Sequence, residues 1–178
     1  MKRRPFQVLV FPFLKIEQSN YQYCIFKRAD ESYWQSIAGG GENSVTLLQA
    51  AKREVIEESG IYAALAQYFK LDTISSVPTY FFAGRQNWNP NQYVIPNYCF
   101  AVEVFNRDIT LSTEHSEYQW VSYQEANKLL HWDDNKTALW ELNARLINKN
   151  LPSFQETLAA CKQSTAKYSS VMGESADS

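Results

Sequence analysis

The stretch from Gly39 to Ile61 constrains this chain more than any other. Gly39, Gly40 and Gly41 precede a helical pattern running from Val45 to Ser59, and Gly60 follows where a helix commonly ends in a left-handed residue. Thr46 and Gln49 have the spacing of a capping box. Leu47, Leu48, Ala51 and Val55 form an apolar stripe that would pin the helix to a sheet. Glu54, Glu57 and Glu58 fall at about 0°, 300° and 40° around the axis, on the adjoining face. Carboxylates so placed repel one another weakly while exposed. A hard divalent cation would turn that repulsion into binding, because oxygen-rich ligand sets suit Mg²⁺ or Mn²⁺. The glycines allow close backbone approach and an exposed carbonyl. Taken alone, Glu-x-x-Glu-Glu describes an ordinary solvated acidic face. The longer string is what carries the chemistry.

That string, from Gly39 through Arg53, Glu54, Val55, Glu57, Glu58, Gly60 and Ile61, resembles the Nudix box. The box reads Gly, five residues, Glu, seven residues, Arg-Glu, an aliphatic, any residue, Glu-Glu, any residue, Gly, an aliphatic. Three residues depart from the usual pattern. Val45 stands where the first Glu is expected, with Ser44 where a Gly usually precedes it, and Ala38 replaces the first residue of the usual Gly pair. The resemblance implies that Glu54 and Glu58 are the main metal ligands, with Glu57 beside them or acting through water. It further implies that the Ala38 carbonyl can reach the metal and that Arg53 orients a glutamate by a charge-assisted hydrogen bond. The implied chemistry is attack of a metal-activated water on a phosphorus of a diphosphate linkage.

Outside the box, several features resemble the dihydroneopterin triphosphate and dATP-type pyrophosphohydrolases. They are Arg4-Pro5, Arg28, Tyr33-Trp34-Gln35-Ser36, Thr113-Glu114-His115, Tyr118-x-Trp120, and Asn135 after Trp132. In that branch the glutamate of the Thr-Glu-His step is a further metal ligand, which makes Glu114 the fourth candidate. An exposed loop acid is an equal reading. His115 reads as a hydrogen-bonding loop residue rather than a base. Arg4, Lys27 and Arg28 suit substrate phosphates and equally suit solvated strand ends. Trp34 reads as core, whereas Trp88 and Tyr80 are candidates to stack on a purine or pterin ring. Residues 75–97 carry little family pattern, so substrate choice is expected there.

The remaining chain reads as strands with a few interspersed helices. Strands are expected at Gln7–Leu14, Tyr21–Arg28, Tyr98–Phe105 and Tyr118–Val121, with an apolar piece from Tyr33 to Ala38 and an extended run within Ile61–Ile74. Tyr80–Val94 reads as a long loop or a hairpin. Ser122 and Glu125 would cap a helix through Leu130, Asp134–Ile147 forms a longer one, and Ser153 with Glu156 opens a short last one. This pattern predicts an α/β domain with a mixed sheet. With the resemblance it becomes a Nudix fold, an α/β/α sandwich spanning residues 1–163, followed by a polar tail over 164–178.

Composition excludes several alternatives. Hydrophobic residues at 45% and aromatics at 15% rule out disorder and coiled coil for most of the chain. A net charge of -2 argues against a nucleic-acid partner, which would require surplus basic charge. Pro12, Lys15 and Glu17 interrupt the apolar run behind Met1-Lys2-Arg3-Arg4, so it reads as a first strand and not a signal segment or membrane span. Cys24, Cys99 and Cys161 lack metal-ligand spacing; buried thiols and a reducing cytoplasm are expected. The expected function is Mg²⁺-dependent (or Mn²⁺-dependent) pyrophosphate release from a nucleotide or pterin triphosphate, by a protein for which a homodimer is compatible. The alternatives are a Nudix hydrolase of dinucleoside polyphosphates or nucleotide sugars, and a Nudix-fold ligand-sensing module that does not hydrolyse.

Overall fold

A computed structural model of the chain describes residues 3–17, 20–42, 45–64 and 67–152. Its strands are β1 (Arg3–Glu17), β2 (Asn20–Arg28), β3 (Trp34–Gln35), β4 (Ile37–Glu42), β5 (Tyr68–Pro78), β6 (Val94–Val104) and β7 (His115–Val121). Its helices are α1 (Leu47–Ser59), α2 (Tyr123–Leu129) and α3 (Asp133–Ile147). The helix expected at Ser153, Cys161 and the tail over 164–178 lie outside the described residues.

β1 organises the sheet. One edge pairs in parallel with β6, from Gln7↔Asn97 to Leu14↔Val104. The other edge is shared: β4 takes its first half antiparallel, through Val10↔Ile37, and β2 takes its end, from Phe13↔Tyr23 to Glu17↔Asn20. β5 adds to β6, while β7 and β3 add to β2. The sheet is therefore mixed, as expected, and it forks where β4 and β2 part.

Side chains alternate across each strand, so every central strand feeds two cores. Val8, Val10, Cys24, Phe26, Phe100 and Val102 face α1, packing with Leu48, Ala51 and Val55. Leu9, Phe11, Tyr23, Ile25, Cys99 and Ala101 face α2 and α3, packing with Ala126, Leu139 and Leu142. This is the α/β/α sandwich. Two of the expected capping boxes are formed, Thr46 with Gln49 at α1 and Ser122 with Glu125 at α2. Gly60 closes α1 in the left-handed conformation at φ 67°.

Gly39–Gly41 lie within β4, where the β1 ladder supplies the backbone bonds that glycine's weak strand preference does not. The expected extent of the next strand is corrected. Strand structure after Ile61 begins only at Tyr68. The aromatic stretch near residue 80 joins β5 to β6 as a long hairpin loop. It closes at Pro78↔Val94 and contains two short 3₁₀ turns, Thr79–Phe81 and Ala83–Asn87.

Candidate active site

α1 carries the acids and β4 supplies the floor beneath them. A Cβ at Gly39 would collide with the Glu54 carboxylate, so the missing side chain makes room for that acid. Glu54 and Glu58 are 7% and 4% exposed, while Glu57 lies on the exposed rim. Arg53 gathers three acceptors: Nη2 donates to the Gly40 carbonyl and to Glu54 Oε1, each at 2.5 Å, and Nη1 donates to Glu57 Oε2 at 2.6 Å. The orienting role implied for Arg53 thus has its bonds.

Glu58 turns the other way. Its Oε2 lies 2.7 Å from Nε2 of His115, which is 5% exposed and whose Nδ1 is buried without a partner among the described residues. The loop before β7 is brought here by backbone bonds from Thr110 N–H to the Ser59 carbonyl and from Ser112 N–H to the Glu58 carbonyl. Glu114, next to His115, is exposed and accepts from Arg28 Nη1 at 3.0 Å, close enough to Glu58 for their charges to oppose.

Burial dominates the electrostatics. It raises the Glu54 pKa to about 7 against the pull of Arg53, with Glu58 and Glu57 adding to the rise. Burial likewise raises that of Glu58, opposed by His115 and by the backbone amide of Ala38. Positive charge placed nearby would favour the ionised form of both acids. Glu54 and Glu58, with Glu57 and Glu114 nearby, are oxygen donors of the kind that could hold a hard divalent cation. Among the described residues no three His, Cys, Asp or Glu side chains converge on one point. Glu54 is drawn to Arg53 and Glu58 to His115.

The other candidates are dispersed. Arg28 stands beside the acids through Glu114, but also pairs with Asp30 at 2.6 Å. Lys27 pairs with Glu117 at 2.7 Å. Arg4 donates to the Val45 carbonyl and lines a recess of about 370 Å³ with Phe6, Thr46 and Tyr98, which none of the acids lines. Trp88 is 9% exposed; its Nε1 donates to the Arg3 carbonyl at 2.8 Å and its ring rests on Phe82. In the structure it anchors the loop to β1 and presents no open ring face. Ala38 meets Glu58 through its amide, where its carbonyl was the group expected to act.

Arg3 is the residue that sequence reasoning missed. Its guanidinium lies against Gly40 and 4.5 Å from the Phe82 ring centroid, and it feels the charge of Glu54 most strongly among the acids. Burial lowers its pKa, and it forms no ion pair among the described residues. Strand alternation sends neighbours to opposite faces, so only one of Arg3 and Arg4 can face the site. The adjacent pair of arginines was the only available signal.

The helix that carries the Arg53-Glu54 step thus lies over the glycines of β4, with Glu54 and Glu58 buried. The NUDIX domain model matches residues 8–140, and the chain belongs to the Nudix family. Within that class it is a hydrolase. It is 27% identical over 138 residues to the dihydroneopterin triphosphate diphosphatase of Escherichia coli K12, covering 77% of this chain and 91% of that protein. Its fold matches a crystal structure described as a NUDIX hydrolase from Listeria monocytogenes, with TM-score 0.74 and 46% identity, over 83% of this chain and 98% of that one. The Escherichia coli dihydroneopterin triphosphate pyrophosphohydrolase matches with TM-score 0.64 and 25% identity, over 79% and 97%.

Proposed function

We propose that this protein is a Mg²⁺-dependent pyrophosphohydrolase of a nucleoside triphosphate or close relative, of the dATP or dihydroneopterin triphosphate kind. The observation that carries the reading is the buried pair Glu54 and Glu58, one held by Arg53 and the other by His115. The names of the similar Escherichia coli proteins support the substrate class.

A bound divalent cation would lower the pKa of an attacking water and neutralise charge on the phosphate oxygens. The chain's own residues prepare for it. Arg53 holds Glu54 and Glu57 in register on successive turns of α1 while fastening the helix to Gly40. His115 keeps Glu58 turned toward β7 and Glu114. Val45, in place of the first box glutamate, packs against the α1 core and carries no charge, so that position offers no carboxylate.

The test is direct. Purified full-length protein with Mg²⁺ should release pyrophosphate from dATP or dihydroneopterin triphosphate, and Glu58→Gln should abolish release. An absence of metal-dependent turnover across a broad nucleotide panel overturns the reading. Release of orthophosphate or of a second nucleotide moves the substrate to dinucleoside polyphosphates or nucleotide sugars.

A further inference from the structure

Aromatic side chains gather on one part of the surface. Tyr80 and Phe81 are 65% and 54% exposed where the β5–β6 loop leaves β5, and Trp132 is 36% exposed before α3. Phe81 meets Trp132 edge-on at 6.2 Å between centroids, Tyr33 meets Trp132 at 5.5 Å, and Tyr33 stacks on His131 at 4.9 Å. Such a cluster costs solubility unless something covers it. The platform is rigid where Trp132 stands. Asp134 accepts from Ser75 Oγ and Asn97 Nδ2, and Asn135 Oδ1 accepts from the Ser36 amide, which together lock the start of α3 to the sheet.

Two paths join this cluster to the catalytic acids. From Phe81 the chain passes to Phe82, which lies beneath the Arg3 guanidinium, and Arg3 in turn faces Gly40 and the charge of Glu54. From Tyr33 a backbone bond leads to Arg28, whose guanidinium holds Glu114 beside His115 and Glu58. The order on both paths is ring, guanidinium, carboxylate. A heteroaromatic triphosphate presents the matching order of ring, polyanion and cleaved linkage.

We propose that Phe81, Trp132 and Tyr33 form the recognition surface for a planar nitrogen heterocycle, with Arg3 meeting the phosphate chain between that ring and the acids. This rests on the triphosphate reading above, and it moves ring recognition from Trp88 to its neighbours across the loop. Stacking on an aromatic face tolerates any flat ring, so the surface accepts purine or pterin alike. Arg3 suits the polyanion because no carboxylate of the described residues pairs with it.

Binding separates this inference from hydrolysis. Titration of the full-length protein in Mg²⁺ compares α,β-methylene dATP with inorganic tripolyphosphate by calorimetry. Wild type should prefer the ring-bearing ligand by about tenfold or more. Trp132→Ala and, independently, Phe81→Ala should bring the two affinities together by weakening only the ring-bearing ligand, and Trp132→Phe should restore most of the preference. Arg3→Gln should weaken both ligands alike. Equal binding of the two ligands by wild type, or an unchanged preference in both alanine variants, overturns the proposal. So does equal loss of both ligands in the two alanine variants. Retained ring preference without turnover would leave the surface standing and remove the hydrolase reading instead.

Discussion

At Gly39 a missing side chain has a chemical consequence. The space a Cβ would fill holds the carboxylate of Glu54, the flexible end of a side chain that can move aside. Gly39→Ala should therefore fold, with Tm within a few degrees of wild type, and lose roughly 100-fold or more in metal-dependent turnover through misplacement of one ligand. Unchanged turnover would remove Glu54 from the site. Gly60→Ala should behave oppositely. Its φ of 67° disfavours any Cβ and Thr110 stands close, so stability should fall by about 1–2 kcal/mol in urea unfolding. The shared face of the box acids was legible in the sequence because it follows from spacing along one helix. Arg3 was not, because which of two adjacent arginines faces the acids depends on an irregularity in the β1–β4 register between Arg3 and Gln7. The anchoring bond of Trp88 was not legible for a related reason: an aromatic in a loop advertises a ring without revealing which carbonyl its indole N–H will find.

α3 contributes an interaction that no short-range pattern announces. The β5–β6 pairing slips between Lys70 and Ile74, and Glu141 takes up the N–H groups of Asp72 and Thr73 at 2.7 and 2.8 Å there. The same carboxylate accepts from the Thr73 hydroxyl and from Arg145. Burial alone would raise the pKa of Glu141, but bonds from Thr73, Asp72 and Arg145 outweigh it and the net shift is downward. Its folded pKa thus lies below its unfolded one. The stability it contributes is complete above about pH 4.5 and is lost as pH falls through the folded pKa. Glu141→Ala should cost roughly 3 kcal/mol at neutral pH, by leaving backbone donors unpaired. Stability of the variant should also fall less steeply than wild type between about pH 5 and 3. Equal slopes in the two proteins would contradict the bonding. Capping boxes at Thr46 and Ser122 were readable because both partners lie within four residues. The glycine strand was not, since a ladder depends on a partner more than 30 positions away.

Across the whole molecule, the sheet separates two hydrophobic layers that share almost every central strand. Cys24 lies in the α1 layer and Cys99 in the α2–α3 layer, both as free thiols. Burial raises the pKa of each well above the ordinary thiol range. In a Cys161→Ser background, both thiols should resist a thiol reagent in native buffer and become reactive together, at the rate of global unfolding. Fast labelling of one alone would show that its layer opens independently. The mixed α/β character was legible from the strand and helix patterns, and the two-sided layering came with the box resemblance. The fork between β4 and β2 along one edge of β1 had no such signature.

The β5–β6 loop is pinned at its base by Thr79, whose N–H bonds the Tyr93 carbonyl, and at its far side by the Trp88 indole on Arg3. Between these pins, Tyr80 and Phe81 contribute no buried side chain to either layer. Substitution at these two exposed positions therefore carries little folding penalty and leaves the glutamates of α1 untouched. Selection can act on this stretch of surface separately from the folded layers beneath it.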